Sequence, residues 1–438
     1  MMINNMDYFT CEDINKTQTD MLRTTISYLF THSSFYKDAF IKRGINASLI
    51  KSLDDIIKFP VVTKSDLLES NNDFFCCSLP NASDIVTTSG STGLHPIVHP
   101  LTKSDLERLA FNEQKSFIIS DITSKDVVML TTALDGSFVA GLAYYLGIER
   151  IGASIIRAGS KSMNIQAEIL SRFPISTIIG VPSNLIKLYN YCVAEGIEIE
   201  NFNITKLVLI GEAIRNKNFS LNQLGKRLSE YYSKAILYST YANTETCTSF
   251  CECFAGKGGH LHPDLAYVEI LDENGRRVLD GTAGRLVITT FSSQGMPLLR
   301  YDTGDITFVI NEKCICGRTT QRIGPILGRQ QNILKINGIT LTQMQIENAV
   351  LSVKSIDDYC IKIQNNSDGI QEITIYFTST ENNIDYVSCV LKQVIWESTR
   401  ISVRIINCDD KELIKMQNST ESRKPLRFIH LNNGEENE

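Results

Sequence analysis

Between residues 126 and 241, four short β-branched apolar runs alternate with longer stretches of helical spacing, and this alternation leaves few folds open. The runs are 126–132 (DVVMLTT), 176–181 (STIIGV), 206–211 (KLVLIG) and 235–241 (AILYSTY), each bounded by turn residues. A strand covered by helices on both faces reads as a continuous apolar run instead of an alternating one. The pattern predicts an α/β fold of βαβ layers with largely buried strands. One intervening helix is expected over 104–119, where Ser104 and Glu107 have capping-box spacing.

After about residue 264 the rhythm changes to closely spaced strand signals, AYVEIL, GRLVITT and DITFVI, with the turn DENG among them. This predicts an antiparallel, strand-rich subdomain. From Gly328 it changes again, to a strand-like ILKING, a helix opening at Thr342 with Gln345 at capping-box distance, a strand at EITIYFT, a helix over 385–399 and a strand at RISVRIIN. That order predicts a compact α+β domain over 328–438, ending in a polar, frayed tail, LNNGEENE.

Composition removes several function classes. The 438 residues carry 43 Lys+Arg against 49 Asp+Glu, a formal charge of −6, so no basic excess exists to hold a nucleic acid. No apolar run approaches the roughly 18 residues that span a bilayer, and MMINNMDYFTCED lacks the layout of a signal peptide. A cytoplasmic protein without a membrane partner is expected. In that setting the 12 cysteines are reduced thiols or metal ligands. Cys253, His260, Cys314 and Cys316 offer three thiolates and an imidazole, the ligand set of a closed structural Zn²⁺ site. Cys251 and His262 are substitute ligands, and free thiols in alternating strand positions are the plain alternative.

Residues 87–93, TTSGSTG, pack hydroxyl side chains and two glycines into one turn. Glycines let successive N–H groups converge and hydroxyls add donors, which together suit phosphate oxygens, although an exposed polar turn has the same composition. No Lys-Ser/Thr follows the second glycine, so this is not a Walker loop.

Here the chain resembles the adenylate-forming (acyl/aryl-CoA synthetase) superfamily, whose loop has the form [ST]-[ST]-G-[ST]-T-G-x-P. The resemblance continues at Gly211-Glu212-Ala213, at Tyr241-Ala242-Asn243-Thr244-Glu245, at Tyr301-Asp302-Thr303-Gly304-Asp305, and at Gly328-Arg329 with Lys335 and Gly338 beyond it. Cys314-Ile315-Cys316-Gly317-Arg318-Thr319, followed by Arg322-Ile323-Gly324, is similar to the phenylacetate–coenzyme A ligase-like branch. The resemblance implies a large N-terminal domain (1–327) with its zinc subdomain at about 250–327, and a small mobile C-terminal lid (328–438) hinged at 328–332.

It also implies ATP-dependent activation of a carboxylic acid as an acyl-adenylate, followed by transfer to the thiol of coenzyme A or of a carrier protein's phosphopantetheine. Thr88, Ser89, Gly90, Ser91, Thr92 and Gly93 would cradle phosphates. Gly211, Glu212 and Ala213 would form the adenine-site segment, Tyr241, Ala242, Asn243 and Thr244 would bind ATP, and residues 211–214 and 238–243 would also border the acid pocket. Glu245 would hold Mg²⁺, Asp305 would accept the ribose hydroxyls, and Arg329 would support the ribose or phosphate edge. Lys424 would reach the α-phosphate, and Lys335 and Gly338 would approach during the thiol step. Ala133, Asp135 and Phe138 fall in a segment lining the acid pocket, where Asp135 could meet a polar group on the substrate or cap a helix. A second copy of the chain is a further candidate partner.

Three departures stand out. Leu94-His95 occupies the place of the loop lysine, Gln331 or Asn332 that of the hinge aspartate, and Arg423 that of a small residue before Lys424. They motivate two alternatives, an adenylation-deficient nucleotide- or acyl-binding protein and an acyltransferase that starts from a ready-made adenylate.

Overall fold

The computed structural model describes residues 6–88, 96–159, 162–330, 333–336, 339–365, 371–417 and 426–431. The chain divides into two compact units, one running to Thr88 and resuming over Pro96–Ile326, the other containing the described residues from Leu327 onward.

The first unit opens with helices α1 (Cys11–His32), α2 (Ser34–Arg43) and α3 (Lys64–Glu69). Thr10 caps α1 by accepting the Asp13 N–H at 3.1 Å, and Gly44 ends α2 in the left-handed region with φ +62°. A hairpin of β1 (Asp84–Thr87) and β2 (Val98–Leu101) follows. The chain then alternates α4 (Lys103–Ile119), β3 (Val127–Leu130), α5 (Val139–Ile151), β4 (Ser154–Arg157), α6 (Met163–Arg172), β5 (Thr177–Gly180), α7 (Pro182–Ala194), β6 (Lys206–Ile210), α8 (Gln223–Tyr231), β7 (Ile236–Asn243) and β8 (Thr248–Cys251). The six strands order as β4-β3-β5-β6-β7-β8, parallel except for β8, which folds back antiparallel on β7. All four apolar runs are strands of this sheet, and β5 and the inner part of β6 are buried throughout.

The helix expected at Ser104 begins one residue earlier, and its capping box is formed by Thr102 and Asp105 instead of Ser104 and Glu107. Asp105 is also claimed by the N–H groups of Gln294 and Gly295, both at 2.8 Å, which fixes the choice.

The strand-rich part contains β9 (Gly259–His260), β10 (Ala266–Leu271), β11 (Gly284–Thr290), β12 (Tyr301–Thr307), β13 (Val309–Ile310) and β14 (Arg322–Ile323). Strands β10, β11 and β12 pair antiparallel in that order, as do β13, β14 and β9. An early segment is tied to this region. The Asp7 carbonyl accepts from Thr319 N at 2.9 Å and the Phe9 carbonyl from Thr319 Oγ1 at 2.6 Å. The buried Lys115 ammonium bridges Asp7 and Asp264 at 2.8 Å each. Removing one partner of such a buried pair leaves an uncompensated charge.

The second unit holds β15 (Gly328–Arg329), β16 (Ile333–Ile336), β17 (Ile339–Thr342), α9 (Gln343–Ser352), β18 (Asp358–Asn365), β19 (Gln371–Thr378), α10 (Ile384–Thr399), β20 (Arg404–Asn407), α11 (Asp410–Gln417) and β21 (Phe428–Leu431). Its sheet orders as β20-β19-β18-β21, and Val350, Ile363, Ile375, Leu391 and Ile395 sit in its apolar core. Thr342 and Gln345 form the expected capping box. Among the described residues no helix is long and apolar enough to cross a membrane.

Candidate active site

Residues 89–95, which include the glycine loop Ser89–Gly93, lie outside the described residues, but the chain on either side is defined. Thr88 N donates to Ile97 O at 3.0 Å, and Ile97 N donates to Thr88 Oγ1 at 3.1 Å. Thr88 is buried.

The adenine-side segment starts where β6 ends. Gly211 has φ +77°, a conformation that costs glycine little and other residues more. Next to it, the Glu212 carboxylate accepts from Ser183 N and Ser183 Oγ, each at 2.8 Å, at the first turn of α7. A carboxylate there meets unpaired N–H groups and the positive end of the helix dipole. Ser183 was not anticipated, although Pro182 before it is the residue type that opens helices. The Ala213 carbonyl accepts from Asn222 Nδ2 at 2.7 Å.

At the carboxyl end of β7, Tyr241, Ala242 and Asn243 pair with Phe250, Ser249 and Thr248 of β8. The turn between them is held by Thr246 N donating to Asn243 Oδ1 at 3.0 Å and Cys247 N donating to Thr244 O at 3.2 Å. Glu245 stands in this turn, 9% exposed, and its carboxylate makes no hydrogen bond or ion pair among the described residues. A carboxylate without such a partner on a largely buried residue is available to a cation.

Two expected site residues from distant segments meet directly. Tyr241 donates from its hydroxyl to Asp305 Oδ2 at 2.9 Å. Within the same motif Asp302 pairs with Arg285, while Arg300 binds both oxygens of Glu269 at 3.0 and 3.1 Å. Asp302 and Arg300 are thus spent on the fold.

The segment expected to line an acid pocket joins β3 to α5. Phe138 N donates to Asp135 O at 3.3 Å, and Gly136 and Ser137 take φ +65° and +56°. Asp135 is exposed and does not cap α5, which starts without a side-chain cap. Gly141 packs so tightly under this loop that a Cβ there would lie 1.9 Å from the Ala133 carbonyl oxygen. The Ser137 carbonyl accepts from Thr87 N at 3.0 Å, which joins this loop to the strand that leads into the glycine loop.

In the second unit Arg329 is exposed, and Lys335 sits in β16 opposite Thr340. Gln331, Asn332, Gly338, Arg423 and Lys424 lie outside the described residues.

The four metal candidates converge. The ligand atoms of Cys253, His260, Cys314 and Cys316 all lie within 4.8 Å of one another. The Cys253 and Cys314 sulfurs are 3.6 Å apart, and Cys316 Sγ is 3.4 Å from His260 Nε2. Tetrahedral zinc bonds of about 2.3 Å to sulfur and 2.0–2.1 Å to nitrogen require edges near 3.8 and 3.6 Å, so the set fits. His260 Nδ1 lies 3.1 Å from Thr320 Oγ1, which orients Nε2 toward the sulfurs. Burial, with the Arg318 and Arg322 charges, lowers the imidazole to about 3, keeping it neutral. Burial would raise the Cys316 thiol, but the Arg318 N–H and guanidinium and the neighbouring thiols outweigh it and bring it below the usual range. Cys251 and His262 stand apart, the first accepting from Thr240 Oγ1 and the second facing Ser116 Oγ, each at 3.0 Å.

No protein-family model matches the chain. It is 27% identical over 352 residues to the phenylacetate-coenzyme A ligase of Thermus thermophilus, covering 79% of this chain and 77% of that one. It is 24% identical over 358 residues to the enzyme of the same name from Escherichia coli K12, covering 80% and 78%. Among solved structures, 2-hydroxyisobutyryl-CoA ligase in the postadenylation state superposes with a TM-score of 0.85 at 21% identity, covering 97% of this chain and 91% of that one. Sequence likeness and backbone agree, and the chain is a divergent relative of the phenylacetate-coenzyme A ligases with the fold of the adenylate-forming acyl-CoA ligases.

Proposed function

We propose that the chain is an AMP-forming acid–thiol ligase acting on an aryl or small acyl carboxylic acid. In the first step a carboxylate oxygen bonds to the α-phosphorus of ATP and the bond to pyrophosphate breaks. In the second, the thiolate of coenzyme A bonds to the acyl carbon, the bond to AMP breaks, and the thiol proton goes to solvent. The observation that carries this reading is the meeting of Tyr241 and Asp305 near the carboxyl end of β7, with Glu245, which has no hydrogen bond or ion pair among the described residues, four positions along the chain from Tyr241. Tyr241 stands near the carboxyl end of β7 and Glu245 just past it, where parallel sheets bind ligands.

The roles are assigned from that arrangement together with the motif resemblance. Asp305, oriented by the Tyr241 hydroxyl, accepts the ribose hydroxyls. Glu212, anchored on α7, fixes the backbone of Gly211 and Ala213 beside the base. Glu245 is the ligand for Mg²⁺, which when bound supplies charge neutralisation on the phosphate oxygens. Lys424 is assigned to the α-phosphate, and the segment from Lys335 to Gly338 to the thiol step, exchanged by movement about 328–332. Cys253, His260, Cys314 and Cys316 would hold Zn²⁺ in a closed site that adds folding energy and leaves no position for substrate. Relatives named for coenzyme A support that acceptor over a carrier-protein arm, and both ATP and coenzyme A fit a cytoplasmic location.

ATP–pyrophosphate exchange across a panel of aryl and short-chain acids tests the proposal. Exchange with a subset of acids, and thioester formation when coenzyme A is added, are expected. No exchange with any acid, together with no ATP binding by calorimetry, would overturn it.

A further inference from the structure

Arg108 lies in the middle of α4, is 2% exposed, and belongs to none of the motifs. Its guanidinium donates to four neutral oxygens drawn from three separate segments. Nε reaches the Phe291 carbonyl at 2.7 Å, Nη1 the Cys247 carbonyl at 2.9 Å, and Nη2 the Leu265 carbonyl at 2.8 Å and Thr248 Oγ1 at 3.3 Å. Burial pushes the group's pKa down, and the charges of Asp105 and Asp264 only offset this. A cation buried in this way is expensive, and an apolar side chain would fill the space at lower cost. The planar fork, however, can hold several carbonyls at fixed angles, which neither an apolar group nor lysine can do.

Two of the four bonds go to Cys247 and Thr248, the residues that close the turn bearing Glu245. That turn needs holding, because Cys247 is a non-glycine residue with φ +45°. Thr248 Oγ1 in turn donates to Thr246 O at 3.0 Å, so the guanidinium grips the turn at its main chain and through a side chain that itself grips the main chain. Glu245 contributes no bond of its own to this arrangement. Its position is set by the turn, which Arg108 holds from outside while the Thr246–Asn243 and Cys247–Thr244 bonds close it from within.

We infer that Arg108 is a positioning residue that aims the Glu245 carboxylate at the cation accompanying ATP. The inference rests on the proposed ligase reading. It predicts that Arg108 acts on the metal-dependent part of nucleotide binding and leaves the rest alone.

ATP binding to the full-length protein, measured by calorimetry with excess Mg²⁺ and again with EDTA, separates these parts. In the wild-type protein Mg²⁺ should tighten ATP binding, and Glu245→Ala should remove most of that gain. Arg108→Met should cut the gain at least ten-fold while leaving binding in EDTA within two-fold, and should add nothing further in the Glu245→Ala background. Arg108→Lys, which keeps charge and volume, should lose part of the gain and answers the question if Arg108→Met does not fold. A wild-type Mg²⁺ gain in either variant, or equal weakening with and without Mg²⁺, would overturn the inference while leaving the ligase reading intact. No ATP binding by the wild-type protein under either condition would remove the ligase reading and this inference with it.

Discussion

The Tyr241 hydroxyl donates to Asp305 Oδ2 at 2.9 Å across 64 positions of sequence, coupling the end of a parallel-sheet strand to a strand of the antiparallel region. If Asp305 accepts the ribose hydroxyls as proposed, the Tyr241 hydroxyl orients that carboxylate. Tyr241→Phe should therefore leave the fold intact and weaken ATP binding. A hydrogen bond to a charged group contributes about 1.5–3 kcal/mol, so the KM for ATP should rise roughly ten- to hundred-fold with kcat changed much less. Steady-state kinetics with ATP varied would check this, and an unchanged KM would remove Tyr241 from the site.

The Cys253, His260, Cys314 and Cys316 cluster makes a separate prediction about composition and stability. Protein purified without chelator should contain one zinc per chain, and Cys314→Ser should lose it. A loss of about 3 kcal/mol in a unit of this size would lower the melting temperature by roughly 4–5 °C. Cys251→Ser is the control, since Cys251 bonds Thr240 outside the cluster and its loss should leave the zinc content unchanged. Well under one zinc per chain in untreated wild-type protein would count against the site.

Glu113 supplies a pH dependence. Burial raises its carboxyl from 4.5 to about 7, although Ser249 and Asn112 both donate to Oε1 and lower it in part. Because the folded pKa lies above the unfolded value, the folded state binds the extra proton. The associated stability, about 3 kcal/mol, is complete below pH 4.5 and is lost as pH rises through 7. Glu113→Gln keeps the shape without the charge and should be more stable than wild type at pH 8 but similar at pH 4.5. Urea unfolding at the two pH values measures the difference, and equal effects at both would contradict the assignment.

Gly141 reports on the acid pocket. A methyl group there would lie 1.9 Å from the Ala133 carbonyl, so either α5 or the loop through Phe138 must move. Gly141→Ala should destabilise the first unit by about 1–3 kcal/mol. If that loop lines the acid site, the same variant should also raise the KM for the acid more than the KM for ATP. Equal changes in both would place the loop away from the acid.

The parts of this fold that could be read from sequence are those whose causes are local. The parallel strands are apolar because helices cover both faces, and Thr342 with Gln345 caps α9 using only its own neighbours. Where a distant partner decides, local reading slipped. Thr102 displaces Ser104 as the cap of α4 because Asp105 is also bound by Gln294 and Gly295, 189 and 190 positions away. Strand β4 escaped notice because an edge strand with exposed ends carries little apolar signal. In the site, the thiol pairs and the Tyr241 and Asp305 motifs were legible because chemistry demands those residue types. The contacts of Ser183 with Glu212 and of Arg108 with Cys247 and Thr248 were not, since nothing nearby in the chain announces those partners.

The bonds from Thr319 to Asp7 and Phe9 have a consequence for how the protein is made. The Asp7–Thr319 contact links positions 312 apart, so on a ribosome the earlier segment waits while most of the chain is synthesised. Contacts of such long sequence separation slow folding, and a waiting segment with Tyr8 and Phe9 is open to wrong partners. The first unit can complete itself only after the thiols at 314 and 316 have emerged, so if the cluster holds zinc as proposed, the metal binds after most of the chain has been made.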